Sequence, residues 1–117
     1  MELDRVIIFT GDVRRMVDFY SSAFGLTVVG EFDPEWTEMT SGKSNVAFHK
    51  FGKKGSGGDH GDDGVKLVFG ATDVPAEKAR LEAMGIGMTK IFTFGDIQMC
   101  DGSDPDGHRF QISSRGR

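Results

Sequence analysis

The sequence predicts an α+β fold of two βαβββ modules with the helices on the outside, for two reasons. Each half of the chain holds one short apolar strand, one amphipathic helix that ends at a glycine, and three further strands. The halves also align, because the helix starts at 12–13 and 73–74 are 61 residues apart and the helix-ending glycines, Gly25 and Gly85, are 60 apart. This spacing indicates an internal duplication. Two unrelated α+β halves with coincidental glycines are the alternative.

The first half begins with a β-branched and aromatic strand at residues 6–9, followed by Asp12 as the predicted helix N-cap. Apolar residues then recur at helical spacing over residues 13–24, and Gly25 stands where a left-handed C-terminal residue is needed. These signals predict one helix. Turn residues at 33–34 and 41–43 separate three further predicted strands, which cover residues 26–32, 35–40 and 45–51.

The second half repeats this order of elements. Asp73 is the predicted N-cap and Pro75 an early-turn proline of a helix over residues 74–84, and Gly85 ends it. Met84 and Cys100 are predicted to fill the core. The predicted strands of this half cover residues 65–71, 86–93, 96–101 and 108–113, with a turn over 102–107 between the last two.

A glycine-rich segment separates the two halves. Residues 52–64 hold six of the 17 glycines of the chain and no large apolar side chain. Such a segment cannot contribute to a core and is predicted to be a flexible loop. The chain is therefore predicted to be a single domain, with modules at about residues 1–51 and 65–114 joined by this loop.

The composition excludes several classes of function. The 117 residues carry 14 basic and 18 acidic side chains, a formal net charge of -4, which offers no basic footprint for nucleic acid. The longest apolar runs are far shorter than the roughly 20 residues that cross a bilayer. A single cysteine, Cys100, cannot form a disulfide within the chain. We expect a cytoplasmic protein without nucleic-acid or membrane partners.

Three segments carry a resemblance to a known family. They are VIIFTGDVRRMVDFYSSAFGLTVVGE at residues 6–31, VKLVFGATDVPAEKARLEAMGI at 65–86 and DGSDPDGHRFQI at 101–112. In this order and spacing they resemble the glyoxalase / bleomycin resistance / dihydroxybiphenyl dioxygenase superfamily, also called vicinal oxygen chelate proteins, over essentially the whole chain. The resemblance implies curved sheets that form a cup, helices outside it, and a homodimer.

The resemblance also locates the metal ligands of this superfamily. In metal-using members, four ligands, mostly His and Glu, lie on the first and last strands of each module, and the equivalent positions here are Arg5, Ala47, Lys66 and Gln111. Arg and Lys keep their protons at neutral pH and Ala has no donor atom, so Gln111 alone remains as a weak ligand. The sequence therefore predicts no metal and no cofactor, and it assigns no catalytic residue.

Strand alternation predicts which side chains line the cup. Arg5 and Lys66 occupy equivalent positions in the two modules, and two such cations indicate a pocket for an anionic or oxygen-rich small molecule. The alternative is that they pair with acids such as Glu38 or extend into solvent. Val6 and Ile8 are predicted to pack under the helix. The side chains predicted to line the cup by alternation are Arg5, Ile7, Phe9, Ala47, His49, Lys66, Val68, Arg109, Gln111 and Ser113.

Two further residues complete the predicted binding site. Trp36 offers an aromatic wall for a planar ligand or, alternatively, anchors the core or a dimer interface. His49 is a proton carrier or a hydrogen-bonded residue at a strand end. The predicted function is binding of a small molecule without the metal site; a diverged lyase or dioxygenase in the same cup, a metal recruited elsewhere, and a vestigial cup are the alternatives. The predicted binding residues are Arg5, Ile7, Phe9, Trp36, Ala47, His49, Lys66 and Gln111.

Overall fold

The chain folds as two compact units, Met1–Gly58 and Asp59–Arg117. The computed structural model describes residues 1–51 and 64–117, so nearly all of the predicted glycine-rich loop lies outside the described residues. Each unit has one helix and one four-stranded sheet. The predicted α+β fold of two βαβββ modules is confirmed. No helix in the described part of the chain is long and apolar enough to cross a membrane.

The first unit places its opening strand at one edge of its sheet. The sheet order is β1-β4-β3-β2, with β1 parallel to β4 and the other pairs antiparallel. The second strand is shorter than the predicted 26–32, because Gly30 adopts a φ of 79° and turns the chain away. The elements are β1 (Arg5–Thr10), α1 (Val13–Phe24), β2 (Thr27–Val29), β3 (Trp36–Thr40) and β4 (Asn45–Lys50).

Helix α1 has the predicted bounds and the predicted caps. The carboxylate of Asp12 accepts a hydrogen bond from the backbone N–H of Arg15 at 3.1 Å. Gly25 has a φ of 70°, and its N–H donates to the carbonyl of Ser21 at 2.9 Å, as glycine does at helix ends. The ring of Tyr20 on the buried face of α1 stacks on Phe48 at 5.2 Å. Phe48 therefore faces the helix, and its neighbours along β4 face the other way.

The second unit repeats this arrangement with sheet order β5-β8-β7-β6 and a parallel β5–β8 pair. Asp73 caps α2 by accepting from Ala76 N–H at 3.0 Å, and Gly85 follows with a φ of 88°. Phe110 and Ile112 of β8 and Cys100 of β7 are buried. The elements are β5 (Leu67–Gly70), α2 (Val74–Ala83), β6 (Phe92–Phe94), β7 (Ile97–Ser103) and β8 (Arg109–Ser113).

The structure corrects three sequence predictions of the second unit. The strand predicted at 86–93 begins only at Phe92 and ends at Phe94, because the hydroxyl of Thr89, and not a backbone carbonyl, accepts from the N–H of Asp101. Strand β7 runs two residues further than predicted, to Ser103, and the following turn is held by Asp104. Met84 is 44% exposed and does not fill the core, because it follows the last turn of α2.

One prediction for the first unit is also corrected. Val6 remains 36% exposed although it lies on the face that carries the helix. It stands near the beginning of β1, which is the edge strand, so the sheet shields it on one side only. Ile8, two residues further along, is half-buried.

Candidate functional site

We call the sheet face opposite the helix the open face of each unit. On the N-terminal open face, residues of β1, β4 and β3 stand side by side in the strand register. The residues of one row have neighbouring side chains, because cross-strand partners lie about 4.5–5.5 Å apart. The three rows are Arg5–Asn45–Thr40, Ile7–Ala47–Glu38 and Phe9–His49–Trp36.

The first polar cluster is built around Glu38. Its Oε1 lies 3.1 Å from Nε of Arg5, and its Oε2 accepts a hydrogen bond from the amide nitrogen of Asn45 at 2.7 Å. The Asn45 bond, together with the hydrogen bond and charge of Arg5, lowers the pKa of Glu38 despite the opposing effect of burial. Arg5 therefore forms the ion pair with Glu38 that the sequence analysis considered.

An aromatic row lies beside this cluster. His49 stands between Phe9 and Trp36, with ring centroids 5.6 Å apart on both sides, and Phe51 meets the edge of Phe9 at 5.8 Å. Phe9 is 52% exposed and Trp36 36% exposed. Ile7 is exposed as well, whereas Ala47 is fully buried between the longer side chains of its row. The N-terminal open face therefore presents aromatic rings to solvent.

The C-terminal open face carries a second polar cluster, built around Asp101. Nζ of Lys66 lies 2.9 Å from Oδ2 of Asp101, and the Gln111 amide donates to Oδ1 at 3.1 Å. Thr89 fixes Asp101 from the other side, through bonds of 2.9 Å to its backbone N–H and carbonyl. Lys66 directly precedes β5 and, like Arg5, forms an ion pair with an acid.

The two clusters follow one plan. In each unit an acid on the third strand binds a cation at the first strand and a side-chain amide on the fourth. The cations, Arg5 and Lys66, are the residues that the duplication made equivalent. The acid Asp101 and the amide of Asn45 were not among the predicted site residues, because their roles depend on strand register.

The four positions that hold metal in relatives do not fit a metal in this chain. Arg5 and Lys66 are cations engaged in ion pairs, Ala47 has no ligating atom, and the nitrogen of the Gln111 amide donates to Asp101. Within residues 1–51 and 64–117, no group of three or more His, Cys, Asp or Glu side chains is placed to hold a metal ion.

A cavity of about 310 Å³ opens within the second unit. It lies between the segment that follows α2 and the facing ends of β7 and β8. Arg109 and Ser103 are directly opposite each other in the β7–β8 register, and both are exposed. Strand alternation predicted that Arg109 lines the cup but gave it no binding role. Ser103 was predicted to lie in the turn over residues 102–107. The lining residues are Gly87, Met88, Thr89, Asp101, Gly102, Ser103 and Arg109.

The duplicated βαβββ order, with one four-stranded sheet in each unit, is typical of a class of protein. The sequence profile of the Glyoxalase/Bleomycin resistance protein/Dioxygenase superfamily matches residues 2–112. The chain belongs to this superfamily. No curated protein sequence matches it.

Solved structures share the fold at low sequence identity. A lactoylglutathione lyase from Agrobacterium tumefaciens is 17% identical, with a TM-score of 0.74 over 96% of this chain and 92% of that one. The fosfomycin resistance protein FosX from Listeria monocytogenes is 13% identical, with a TM-score of 0.76 over 97% and 92%. TnmS3, an antibiotic binding protein from Streptomyces sp. CB03234, is 17% identical, with a TM-score of 0.73 over 96% and 93%. At sequence identities this low, the structural similarity shows that the fold is shared.

Proposed function

We propose that the chain binds a small, oxygen-rich or anionic molecule on its open faces and does so without the metal ligands of its superfamily. The observation that carries the proposal is the exposed aromatic row beside the Glu38 cluster. The residues that we assign to binding are Arg5, Ile7, Phe9, Trp36, Ala47 and His49 on the N-terminal open face, where Ala47 is the buried floor, and Lys66 and Gln111 on the C-terminal open face.

The aromatic row supports binding of a flat or partly apolar group. Exposed apolar side chains that adjoin one another are typical of binding surfaces, whereas isolated ones are common everywhere on proteins. Phe9, His49 and Trp36 are contiguous in the register, and Ile7 extends the apolar surface toward the polar cluster. Trp36 and His49 also carry ring N–H groups that orient a polar ligand.

The polar clusters support recognition of oxygen atoms. A guanidinium has five N–H donors and an ammonium has three, and the ion pairs with Glu38 and Asp101 occupy only part of them. As far as residues 1–51 and 64–117 are concerned, the remaining donors of Arg5 and Lys66 are available to ligand oxygens. Because each cation is already neutralised by an acid, the clusters favour a molecule rich in hydroxyl, carbonyl or ether oxygens over one bound by net charge alone.

The edge position of β1 supports the expected homodimer. Among the strands of the described part of the chain, β1 bonds to β4 alone, and its residues Val6, Ile7 and Phe9 are exposed. An apolar strand with an unpaired edge is a site at which a second strand can pair. Sedimentation equilibrium should give a mass of twice the 12.8 kDa of one chain. A mass of one chain at all concentrations would contradict the proposed dimer. It would not contradict the proposed ligand binding, which a monomer can also perform.

A ligand screen tests the proposed function. Purified protein is screened by thermal shift against polyols, phenols and small carboxylates, and hits are titrated by fluorescence. Trp36 is the only tryptophan, so its emission reports on the N-terminal open face. We expect saturable changes in emission. A library in which no member stabilises the protein or changes this emission would overturn the proposal.

A pair of leucine variants localises the binding. Phe9→Leu removes a ring from the aromatic row and keeps an apolar side chain, while Phe19→Leu makes the same change on α1, on the other side of the sheet. We expect Phe9→Leu to weaken binding by about ten-fold and Phe19→Leu by less than about two-fold. Equal effects would show that the aromatic row does not contact the ligand.

A further inference from the structure

We propose that the cavity of the C-terminal unit is a separate site for an oxyanion, the carboxylate or phosphate group of a small molecule, held by the guanidinium of Arg109 and the hydroxyl of Ser103. Neither residue belongs to the binding set assigned above. The site lies on the same C-terminal open face as Lys66 and Gln111, so it adds a defined oxyanion-binding group to the proposed function, but it rests on different observations and its test does not depend on the aromatic row.

The strand register brings the two donors together. Ser103 is the last residue of β7 and Arg109 the first of β8, and the two are direct cross-strand partners on the open face. Side chains at such positions start about 4.5–5.5 Å apart, within reach of one oxyanion. Both residues line the cavity of about 310 Å³, which is large enough for a small organic acid or phosphate ester.

The charges of the cavity favour an anion. Among the described residues, the guanidinium of Arg109 forms no ion pair and the hydroxyl of Ser103 no hydrogen bond. The acid that lines the cavity, Asp101, has one carboxylate oxygen on Lys66 and the other on Gln111. Since Lys66 neutralises Asp101, the charge of Arg109 makes the cavity positive overall.

The donors of the cavity differ in availability. The hydroxyl of Thr89 already accepts from Asp101 N–H at 2.9 Å and donates to the carbonyl of Lys90 at 3.1 Å. Its role is to hold the wall of the cavity against β7. The donors left for a ligand are therefore Arg109 and Ser103, and the planar fork of a guanidinium binds carboxylate and phosphate with two parallel bonds.

Glycines open the cavity to the ligand. A Cβ on Gly87 would meet no atom within 4 Å, so the backbone there borders open space. Gly102, between Asp101 and Ser103, carries no side chain and is packed against Phe110 and Met88. The wall of the cavity is thus packed against Phe110 and Met88 at Gly102 and borders open space at Gly87.

Titration with simple anions tests this site directly. Inorganic phosphate and acetate are added separately to ¹⁵N-labelled protein at constant ionic strength, and the amide signals of residues 87–89, 101–103 and 109 are followed. We expect saturable shifts with at least one anion. Saturation with phosphate alone identifies a phosphate site, and saturation with acetate alone a carboxylate site. Shifts that grow linearly for both anions would overturn the proposal.

Three variants assign the donors. Arg109→Gln should weaken anion binding by about ten-fold or more, and Ser103→Ala by a few-fold. Arg115→Gln is the matched control, because it removes the same charge from an exposed arginine that does not line the cavity. Equal weakening by Arg109→Gln and Arg115→Gln would show that only the overall charge matters and would also overturn the proposal. The dispersed amide spectrum of each variant shows that it is folded.

Discussion

Nζ of Lys66 lies 2.9 Å from Oδ2 of Asp101, and the same relationship recurs in the first module between Arg5 and Glu38 at 3.1 Å. Each cation occupies a position that carries a metal ligand in metal-using relatives, as the resemblance implies. A cation–acid pair with an amide bound to the acid therefore stands at the equivalent place in both halves of the duplication. These pairs place hydrogen-bond donors on both open faces.

The stability contributed by Glu38 should depend on pH. Because its pKa is lowered in the folded protein, its contribution is present above the ordinary value of 4.5 and is lost as the pH falls through the lowered value. Urea unfolding of the wild type and Glu38→Gln should therefore show a stability difference at about pH 7 that narrows toward about pH 3. A difference that stays constant over this range would contradict the assigned pairing.

The pair of Lys66 and Asp101 should be energetically coupled. We expect the variants Lys66→Met and Asp101→Asn to be non-additive, with a coupling free energy of about 0.5–1 kcal/mol, since the pair is half-buried. Urea unfolding of the two single variants and the double variant measures this coupling. Additive effects would mean that the 2.9 Å contact contributes nothing to stability.

Gly102 should resist substitution. A Cβ at this position would lie 2.5 Å from Cζ of the buried Phe110 and 2.7 Å from the sulfur of Met88. Gly102→Ala is expected to destabilise the protein by about 1–3 kcal/mol in chemical unfolding, through overpacking. Gly87→Ala is the control, and its effect should be below about 0.5 kcal/mol because its Cβ meets open space. Equal effects of the two changes would contradict the described packing.

Cys100 should be unreactive in the folded protein. The thiol is fully buried, and the loss of solvation raises its pKa, which keeps it protonated at neutral pH. Thiol labelling of the native protein should be at least about ten-fold slower than labelling after urea unfolding. Comparable rates in the two states would show that the core of the second unit opens readily.

The elements dominated by local signals could be predicted from the sequence. Helix α1 was predicted with its observed bounds because an Asp N-cap, a regular apolar stripe and Gly25 agree with one another. The order of the helix and strands along each half of the chain was predicted from the duplication. In contrast, residues 86–93 have a strand-like composition, but the hydroxyl of Thr89 accepts a hydrogen bond from Asp101 N–H. No local sequence pattern predicts this bond.

The candidate site was predictable only in part. Alternation along single strands placed Arg5, His49 and Gln111 on the open faces. The partners of these residues lie on neighbouring strands, and register is set by turns such as the one at Asp104, which proved tighter than the sequence indicated. For this reason the pairing of Lys66 with Asp101, and the juxtaposition of Ser103 with Arg109, required the structure.

Binding of a small oxygen-rich molecule to the N-terminal open face can be followed in a single titration. The hit that stabilises the protein most is added to ¹⁵N-labelled protein while Trp36 emission and the amide signals of Phe9 and His49 are followed. We predict that the emission and both signals change saturably with a single dissociation constant. A ligand that stabilises the protein but leaves all three unchanged would contradict the claim.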